Sequence, residues 1–169
     1  MAKMTSAEAA KLLKNLNAEH FMLLKREESS RSFLAALGED VESARPAYDY
    51  AETQAELARL ESKICKVKHA LNVFNTVTVI PGFDITIDEM LVLLPQLSSR
   101  AAKLEMMQAV LPKQRENSGY SHSNVVDYRY ANYDIEQAAR DYAEASDLLA
   151  RAQTALDLVN STVQFEVPD

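Results

Sequence analysis

The residues best suited to form a site lie on one face of a helix predicted in the middle of the chain. Six side chains follow one another there at intervals of three and four residues, and none carries a fixed charge: Ala58, Ser62, Cys65, His69, Asn72 and Thr76. This spacing places all six on one side of an α-helix. A face that meets only water is usually charged, so a neutral face indicates another helix, a second subunit or a ligand.

The candidate site residues offer a thiol, imidazoles, amides and phenols, which could meet at an interface between subunits. They are Cys65, His69, Asn72, Asn75, His122, Tyr128 and Tyr130. Cys65 and His69 are four residues apart, a spacing that permits contact on a helix. A thiolate nucleophile also needs an orienting acid and an oxyanion hole. Neither is visible, so the sequence predicts a thiol in the core.

The chain contains no sequence pattern that indicates a metal or cofactor site. A carboxylate-bridged di-iron bundle requires Glu-x-x-His on two helices, and no glutamate precedes His20, His69 or His122 by three residues. The single cysteine excludes an intrachain disulfide and a thiolate cluster. No glycine-rich phosphate loop is present. We therefore expect no metal and no cofactor.

Arg115 and His122 are separated by six residues. This spacing resembles the catalytic pair of the helical HEPN ribonucleases. The resemblance implies that the pair stabilises and protonates groups around a scissile phosphate, on a helical segment at a dimer cleft. The net charge of −7 disfavours RNA and other nucleic acids as partners, because phosphate recognition needs a basic surface. The ribonuclease is therefore the least favoured of the enzymatic alternatives.

Length and composition indicate a single helical domain spanning residues 1–169. Nearly half the residues are hydrophobic, which suffices for a core, and three glycines are too few for an all-β fold. The longest apolar run, residues 90–94, ends at Pro95 and cannot span a bilayer. The N-terminus lacks an apolar run of signal-peptide length. We expect a protein of a bacterial or other reducing cytoplasm that does not bind membranes.

Helical periodicity and end signals predict four long antiparallel helices at about 6–37, 46–76, 86–111 and 134–163. Capping boxes begin the first and third helices at Thr5 and Thr86. Gly38 is suited to end the first helix and Pro46 to begin the second. Pro95 lies inside the third helix and removes one of its backbone hydrogen bonds.

Two heptad seams predict coiled-coil-like packing. The second helix carries Leu57, Leu60, Ile64, Val67, Leu71 and Phe74, and the last carries Ile135, Ala138, Tyr142, Ala145, Leu149, Ala152, Leu156, Val159 and Val163. Alanine at alternate positions of the last seam predicts a closely packed neighbouring helix. Two stripes on the second helix exceed what a single four-helix core uses, which favours self-association.

Residues 112–133 form an inserted arm between the third and fourth helices. Val126, Tyr128 and Tyr130 alternate with polar or small residues, which is a strand pattern, and Gly119 suits a turn. The sequence predicts a small β-hairpin or an irregular arm here. A connection of this length in a helical protein is typical of an interface or a site.

From residue 57 onward the chain resembles the septicolysin-like family of uncharacterised bacterial proteins. The residues that carry the resemblance are the run Asn72-Val73-Phe74-Asn75-Thr76, the run Thr86-Ile87-Asp88-Glu89, Arg100, Tyr128-Arg129-Tyr130, Asp134-Ile135, the tail from Asp157 to Thr162, and Phe165-Glu166-Val167. The resemblance implies long antiparallel helices with a small β-hairpin and no established activity.

Together these patterns predict an all-α protein of long antiparallel helices with a small arm. The leading functional hypothesis is a cytoplasmic interaction or scaffold module that forms homo-oligomers through its helical seams. The alternative is an enzyme or a small-ligand-binding protein whose site lies between subunits.

Overall fold

The fold is mainly α-helical, which confirms the predicted class. A computed structural model describes residues 2–116 and 126–168. Within these residues the helices are α1 (Ser6–Ser30), α2 (Val41–Ala44), α3 (Tyr50–Val77), α4 (Ile87–Gln108) and α5 (Ile135–Thr162). The strands, paired two by two, are β1 (Ala2–Thr5), β2 (Val79–Ile80), β3 (Ile85–Thr86), β4 (Lys113–Arg115), β5 (Tyr128–Tyr130) and β6 (Gln164–Val167).

The first helix is shorter than predicted. It begins with the expected capping box, in which the Glu8 amide donates to Thr5 Oγ1 and the Thr5 amide donates to Glu8 Oε2. It ends at Ser30 instead of residue 37, and residues 31–37 are not helical. Serine hydroxyls compete with helical hydrogen bonds, as Ser29 Oγ does by donating to the Arg26 carbonyl at 2.8 Å.

The start of the second long helix also differs from the prediction. Pro46 does not open it, since residues 45–49 are not helical and Arg45 is extended (φ −67°, ψ 120°). The α3 helix begins instead at Tyr50, where Asp49 Oδ1 accepts a hydrogen bond from the Glu52 amide at 2.9 Å. Gly38 has φ +91° but lies in a turn outside any helix.

The third and fourth long helices agree with the prediction to within three residues. The Thr86–Glu89 capping box begins α4, and Pro95 lies inside it. The residues of both heptad seams are buried or half-buried except Val163, which follows the end of α5, and their coiled-coil-like packing stays a prediction. The expected short distance at the alanine seam is not seen toward α4, which approaches α5 less closely than α1 approaches α3.

The chain divides into two compact units, of which the first comprises residues 1–77 and 158–169. Its α1 and α3 helices are antiparallel, because His20 contacts Glu61 while Glu27, further along α1, contacts Gln54, earlier on α3. Ala9, Leu16, Leu60, Val67 and Val167 form the core between them. The β1 strand pairs with β6 in antiparallel, with Ala2 opposite Val167.

The second unit comprises residues 78–157. It begins with a short antiparallel hairpin, in which β2 and β3 have two residues each. The turn between them contains Gly82 at φ +82° and Asp84 at φ +55°. The α4 helix follows directly, and the antiparallel β4–β5 hairpin then leads to α5. This arm confirms the predicted small hairpin, whereas the β1–β6 and β2–β3 pairs were not predicted. The single-domain organisation inferred from composition stays a prediction.

Candidate interaction surfaces and a cationic cavity

The neutral series on α3 faces outward. Ala58, Ser62, Cys65, His69, Asn72 and Thr76 are all exposed, while Leu57, Leu60, Val67 and Phe74 on the opposite side are buried. The expectation of a core thiol was therefore wrong, because Cys65 lies on this outer face. We call the six exposed residues the α3 outer stripe.

A second outer stripe, which the sequence reading missed, runs along α4. Its members are uncharged, exposed and again spaced by three and four residues: Val92, Pro95, Ser99, Ala102 and Met106. The opposite side of α4 carries the buried Ile87, Met90, Leu97 and Ala101. The signal was present in the sequence as a run of uncharged positions at heptad spacing. We call these five residues the α4 outer stripe.

The other long helices provide a comparison within the same chain. The outward positions of α5 include Glu136, Arg140, Glu144, Asp147 and Arg151, all exposed, and Arg151 Nε donates to Asp147 Oδ2 at 2.9 Å. Exposed lysines and glutamates likewise interrupt the outer side of α1. These are the charged faces expected of helices in water. Uncharged side chains are exposed on α1 and α5 as well, among them Phe21, Met22 and Leu158, but the uncharged stripes of α3 and α4 are longer.

The predicted site residues fall on both units. On α3 in the first unit, His69 and Asn72 are exposed and Asn75 is half-buried. Tyr128 and Tyr130 belong to β5 in the second unit, and His122 lies outside the described residues. Among residues 2–116 and 126–168, no group of three His, Cys, Asp or Glu side chains is placed to hold a metal ion.

The arm presents a tyrosine-rich face. Lys113 pairs with Tyr130 across the β4–β5 ladder and Arg115 pairs with Tyr128, so all four side chains share one face of the hairpin. The Lys113 ammonium lies 4.1 Å from the centroid of the Tyr128 ring and 5.5 Å from that of Tyr130. Both distances are within the range of a cation–π interaction. This face combines exposed aromatic rings with positive charge.

The opposite face of the arm carries an ion pair. Arg129 donates from Nε and Nη2 to the two carboxylate oxygens of Glu116, at 2.8 and 2.9 Å. These hydrogen bonds, together with the positive charge of Arg129, lower the pKa of Glu116. Arg115 lies in β4, not in the helical segment that the ribonuclease resemblance implies. The described residues thus lend that resemblance no support.

A polar clasp ties the segment before α3 to α1. The Tyr48 hydroxyl donates to Glu27 Oε1 at 3.0 Å, and Gln54 Nε2 donates to the same oxygen at 2.6 Å. Burial raises the pKa of Tyr48, and the adjacent Glu27 carboxylate adds to the effect. These contacts hold residues 45–49 in place although they are not helical. The clasp is a structural feature of the first unit.

A cavity of about 460 Å³ lies in the first unit beside the middle of α3. Six apolar residues, one serine and three cationic residues line it. The lining residues are Ala2, Met4, Leu12, Arg59, Ser62, Lys63, Lys66, Val67, Val167 and Pro168. Arg59, Lys63 and Lys66 follow at intervals of four and three, so a single face of α3 supplies all three cations.

Comparison with known proteins identifies the fold but no family. No family model matches the chain, and no curated protein matches it. The crystal structure of a functionally unknown conserved protein from Corynebacterium diphtheriae matches with a TM-score of 0.61, at 16% identity, over 98% of this chain and 100% of that chain. The resemblance to the septicolysin-like family stays a prediction. None of the described helices is long and apolar enough to cross a bilayer.

Proposed function

We propose that this protein is a helical interaction module that assembles with further copies of itself through the α3 and α4 outer stripes. The observation that carries the proposal is the contrast between helices of one chain. Charged residues recur along the outer sides of α1 and α5, although Phe21, Met22 and Leu158 are also exposed there. The α3 and α4 helices, in contrast, each expose five or six uncharged residues in succession at heptad spacing, opposite a buried seam. Heptad spacing is the pattern by which a second helix is recognised.

The chemistry of the stripes favours a helix as partner. Small and neutral side chains let helix backbones approach, and they lose little hydration free energy on burial compared with charged groups. The α3 helix has 28 residues and is therefore about 42 Å long at 1.5 Å per residue. Its stripe covers residues 58–76, which gives a partner helix a contact of about 27 Å.

The α3 stripe is suited to a symmetric pair. Two-fold symmetry is the commonest arrangement of homodimers and brings the same surface of both subunits together. In an antiparallel pair centred at residue 67, Ser62 faces Asn72 of the partner subunit and Cys65 faces the partner's His69, because these residues are equidistant from the centre. Such an interface would place imidazole, amide and hydroxyl groups where they can form hydrogen bonds.

The mass of the protein in solution tests the proposal. A single chain has a mass of 18.9 kDa, and sedimentation equilibrium at micromolar concentration is expected to give a multiple of that mass. His69→Glu and Ala102→Glu each introduce a charge into one outer stripe, so each is expected to weaken assembly at least tenfold. The matched control, Ala150→Glu on the exposed side of α5, should assemble as the unaltered protein does. A monomeric unaltered protein would contradict the proposal.

Cross-linking tests the register of the α3 pair. In the antiparallel arrangement the two Cys65 residues are four helical positions apart along the axis, or about 6 Å. A short bismaleimide should therefore join two copies through Cys65, the single cysteine of the chain. Moving the cysteine to α5, with Ala150→Cys in a Cys65→Ser background, should abolish the cross-link. Equal cross-linking of both proteins would show random collision and would exclude this register.

A further inference from the structure

The cavity beside α3 differs in charge from the rest of the protein. The chain as a whole carries a net charge of −7, yet Arg59, Lys63 and Lys66 line the cavity and none of its ten lining residues is acidic. Arg59 and Lys63, four residues apart on one helix face, repel one another. An anion in the cavity would relieve that repulsion.

Arg59 and Lys63 are only weakly neutralised by acidic side chains of the described residues. Arg59 Nη2 lies 3.7 Å from Glu56 Oε1, and both side chains are well exposed, so the pair contributes little. Among the described residues no carboxylate forms an ion pair with Lys63. The guanidinium of Arg59 and the ammonium of Lys63, one helical turn apart, are therefore able to hold an oxyanion between them.

The rest of the lining is apolar except for Ser62. Met4, Leu12, Val67 and Val167 contribute to it, and two of these, Val67 and Val167, are almost fully buried core residues. The volume of about 460 Å³ lies within the range of small-molecule sites, which typically measure 300–1,000 Å³. An apolar lining with a few convergent charged groups is the usual composition of such a site.

We infer that this cavity binds a small amphiphilic anion, in which an oxyanion such as a carboxylate is joined to a short alkyl or aromatic body. The oxyanion contacts Arg59 and Lys63, and the apolar body lies against Met4, Leu12 and Val167. The positive charges of Arg59 and Lys63 attract the anionic end of the ligand. Burial of its apolar body adds affinity through the hydrophobic effect, in proportion to the apolar area removed from water. This site is distinct from the outer stripes in all lining residues except Ser62.

Isothermal titration calorimetry with octanoate, below its critical micelle concentration, tests the inference on the full chain. Octanoate is expected to bind at least tenfold more tightly than acetate, which lacks the apolar body, and than octanol, which lacks the charge. Octyl phosphate in place of octanoate distinguishes a phosphate ester from a carboxylate as the preferred anion. If neither octanoate nor octyl phosphate binds, or if octanol binds equally well, the inference is overturned.

Matched variants of α3 locate the binding. Lys63→Gln and Arg59→Gln should each weaken binding about tenfold, the loss expected for one charge-assisted contact. Lys68→Gln removes the same charge from an exposed position on the same helix that does not line the cavity, and it should leave binding unchanged. An equal loss in Lys63→Gln and Lys68→Gln would mean that only the overall charge matters and would exclude this site. Circular dichroism checks that all three variants keep their helical content.

Discussion

The rings of Phe74 and Phe165 stack on each other, with centroids 4.5 Å apart and planes inclined by 17°. Phe74 is the last seam position of α3, and Phe165 lies in β6, the strand that pairs with β1. The stack therefore attaches the β1–β6 sheet to the end of the α3 seam. Two residues after Phe165, Val167 belongs to the buried core of the same unit.

Removing this stack should destabilise the first unit. A fully buried phenylalanine costs about 3–5 kcal/mol when replaced by alanine, and Phe165 is only half-buried, so we expect Phe165→Ala to lower the free energy of unfolding by about 2 kcal/mol. Phe165→Leu keeps most of the apolar area and should cost about 1 kcal/mol, the contribution of an aromatic pair. Urea denaturation measures both. An effect of the alanine variant no larger than that of leucine would contradict the burial argument.

The alanine seam of α5 predicts a cost for larger side chains. Ala145 is buried, so Ala145→Leu inserts extra carbon atoms into a packed region, which costs about 1–3 kcal/mol. Ala143→Leu makes the same change at an exposed position of the same helix. It should be nearly neutral, because alanine and leucine are both strong helix formers. Chemical denaturation compares the two variants, and equal stabilities would refute the seam assignment.

The capping box of α4 predicts a pH-dependent contribution to stability. Hydrogen bonds from Thr86 lower the pKa of Glu89 in the folded state. A carboxyl with a lowered folded-state pKa stabilises the fold above its unfolded pKa, and this stabilisation is lost as the pH falls through the folded-state pKa. Glu89→Gln should therefore be less stable than the unaltered protein at pH 7, and the difference should shrink below about pH 4.

A control on the same helix separates the cap from general charge effects. Glu105→Gln removes an exposed carboxylate far from the N-terminus of α4. Thermal unfolding followed between pH 3 and 7 should show the pH-dependent difference for Glu89→Gln and a much smaller one for Glu105→Gln. A difference for Glu89→Gln that stays constant with pH would argue against the capping role.

The arm should contribute little to the stability of the helices. Both its strands are exposed throughout, and Tyr128 and Tyr130 contact Lys113 rather than the core. The double variant Tyr128→Ser/Tyr130→Ser should change the free energy of unfolding by less than about 1 kcal/mol, as surface substitutions usually do. Urea denaturation followed by circular dichroism at 222 nm measures the effect. A loss of helix in the double variant would show that the arm is part of the core.

Tyr133, the last residue of the arm, should contribute more to stability than Tyr128 or Tyr130. Its hydroxyl donates at 2.8 Å to the Met107 carbonyl in the last turn of α4, which also accepts a longer hydrogen bond from the Val110 amide at 3.3 Å. Tyr133→Phe removes only this hydrogen bond and is expected to cost about 1 kcal/mol. The single hydroxyl of Tyr133 should thus matter at least as much to stability as both rings of the arm.

Local periodicity explains which features were predictable from the sequence. The seams of α3 and α5 follow from heptad spacing, because side chains three and four residues apart share a helix face wherever the helix is placed. The capping boxes at Thr5 and Thr86 depend on residues within one turn. The alternation of Tyr128 and Tyr130 with polar residues predicted a strand of the arm for the same reason. Each of these patterns is complete within one continuous segment of the chain.

The features that were missed depend on residues far apart in the sequence. The β1 and β6 strands are four residues each and join the two ends of the described chain, so neither carries a pattern that indicates its partner. The end of α1 at Ser30 was equally hidden, because the apolar Leu34 and Leu37 suggested a continuing helix although both are exposed.

The candidate functional surfaces were likewise predictable only in part from the sequence. The sequence by itself determined that Ala58, Cys65 and His69 share a neutral helix face, because helical spacing suffices for that conclusion. Only the tertiary structure decided that this face is exposed and that Arg59 and Lys63 border a cavity with Leu12 and Val167. Burial and cavities arise from the packing of distant segments, which the spacing of residues along one helix does not specify.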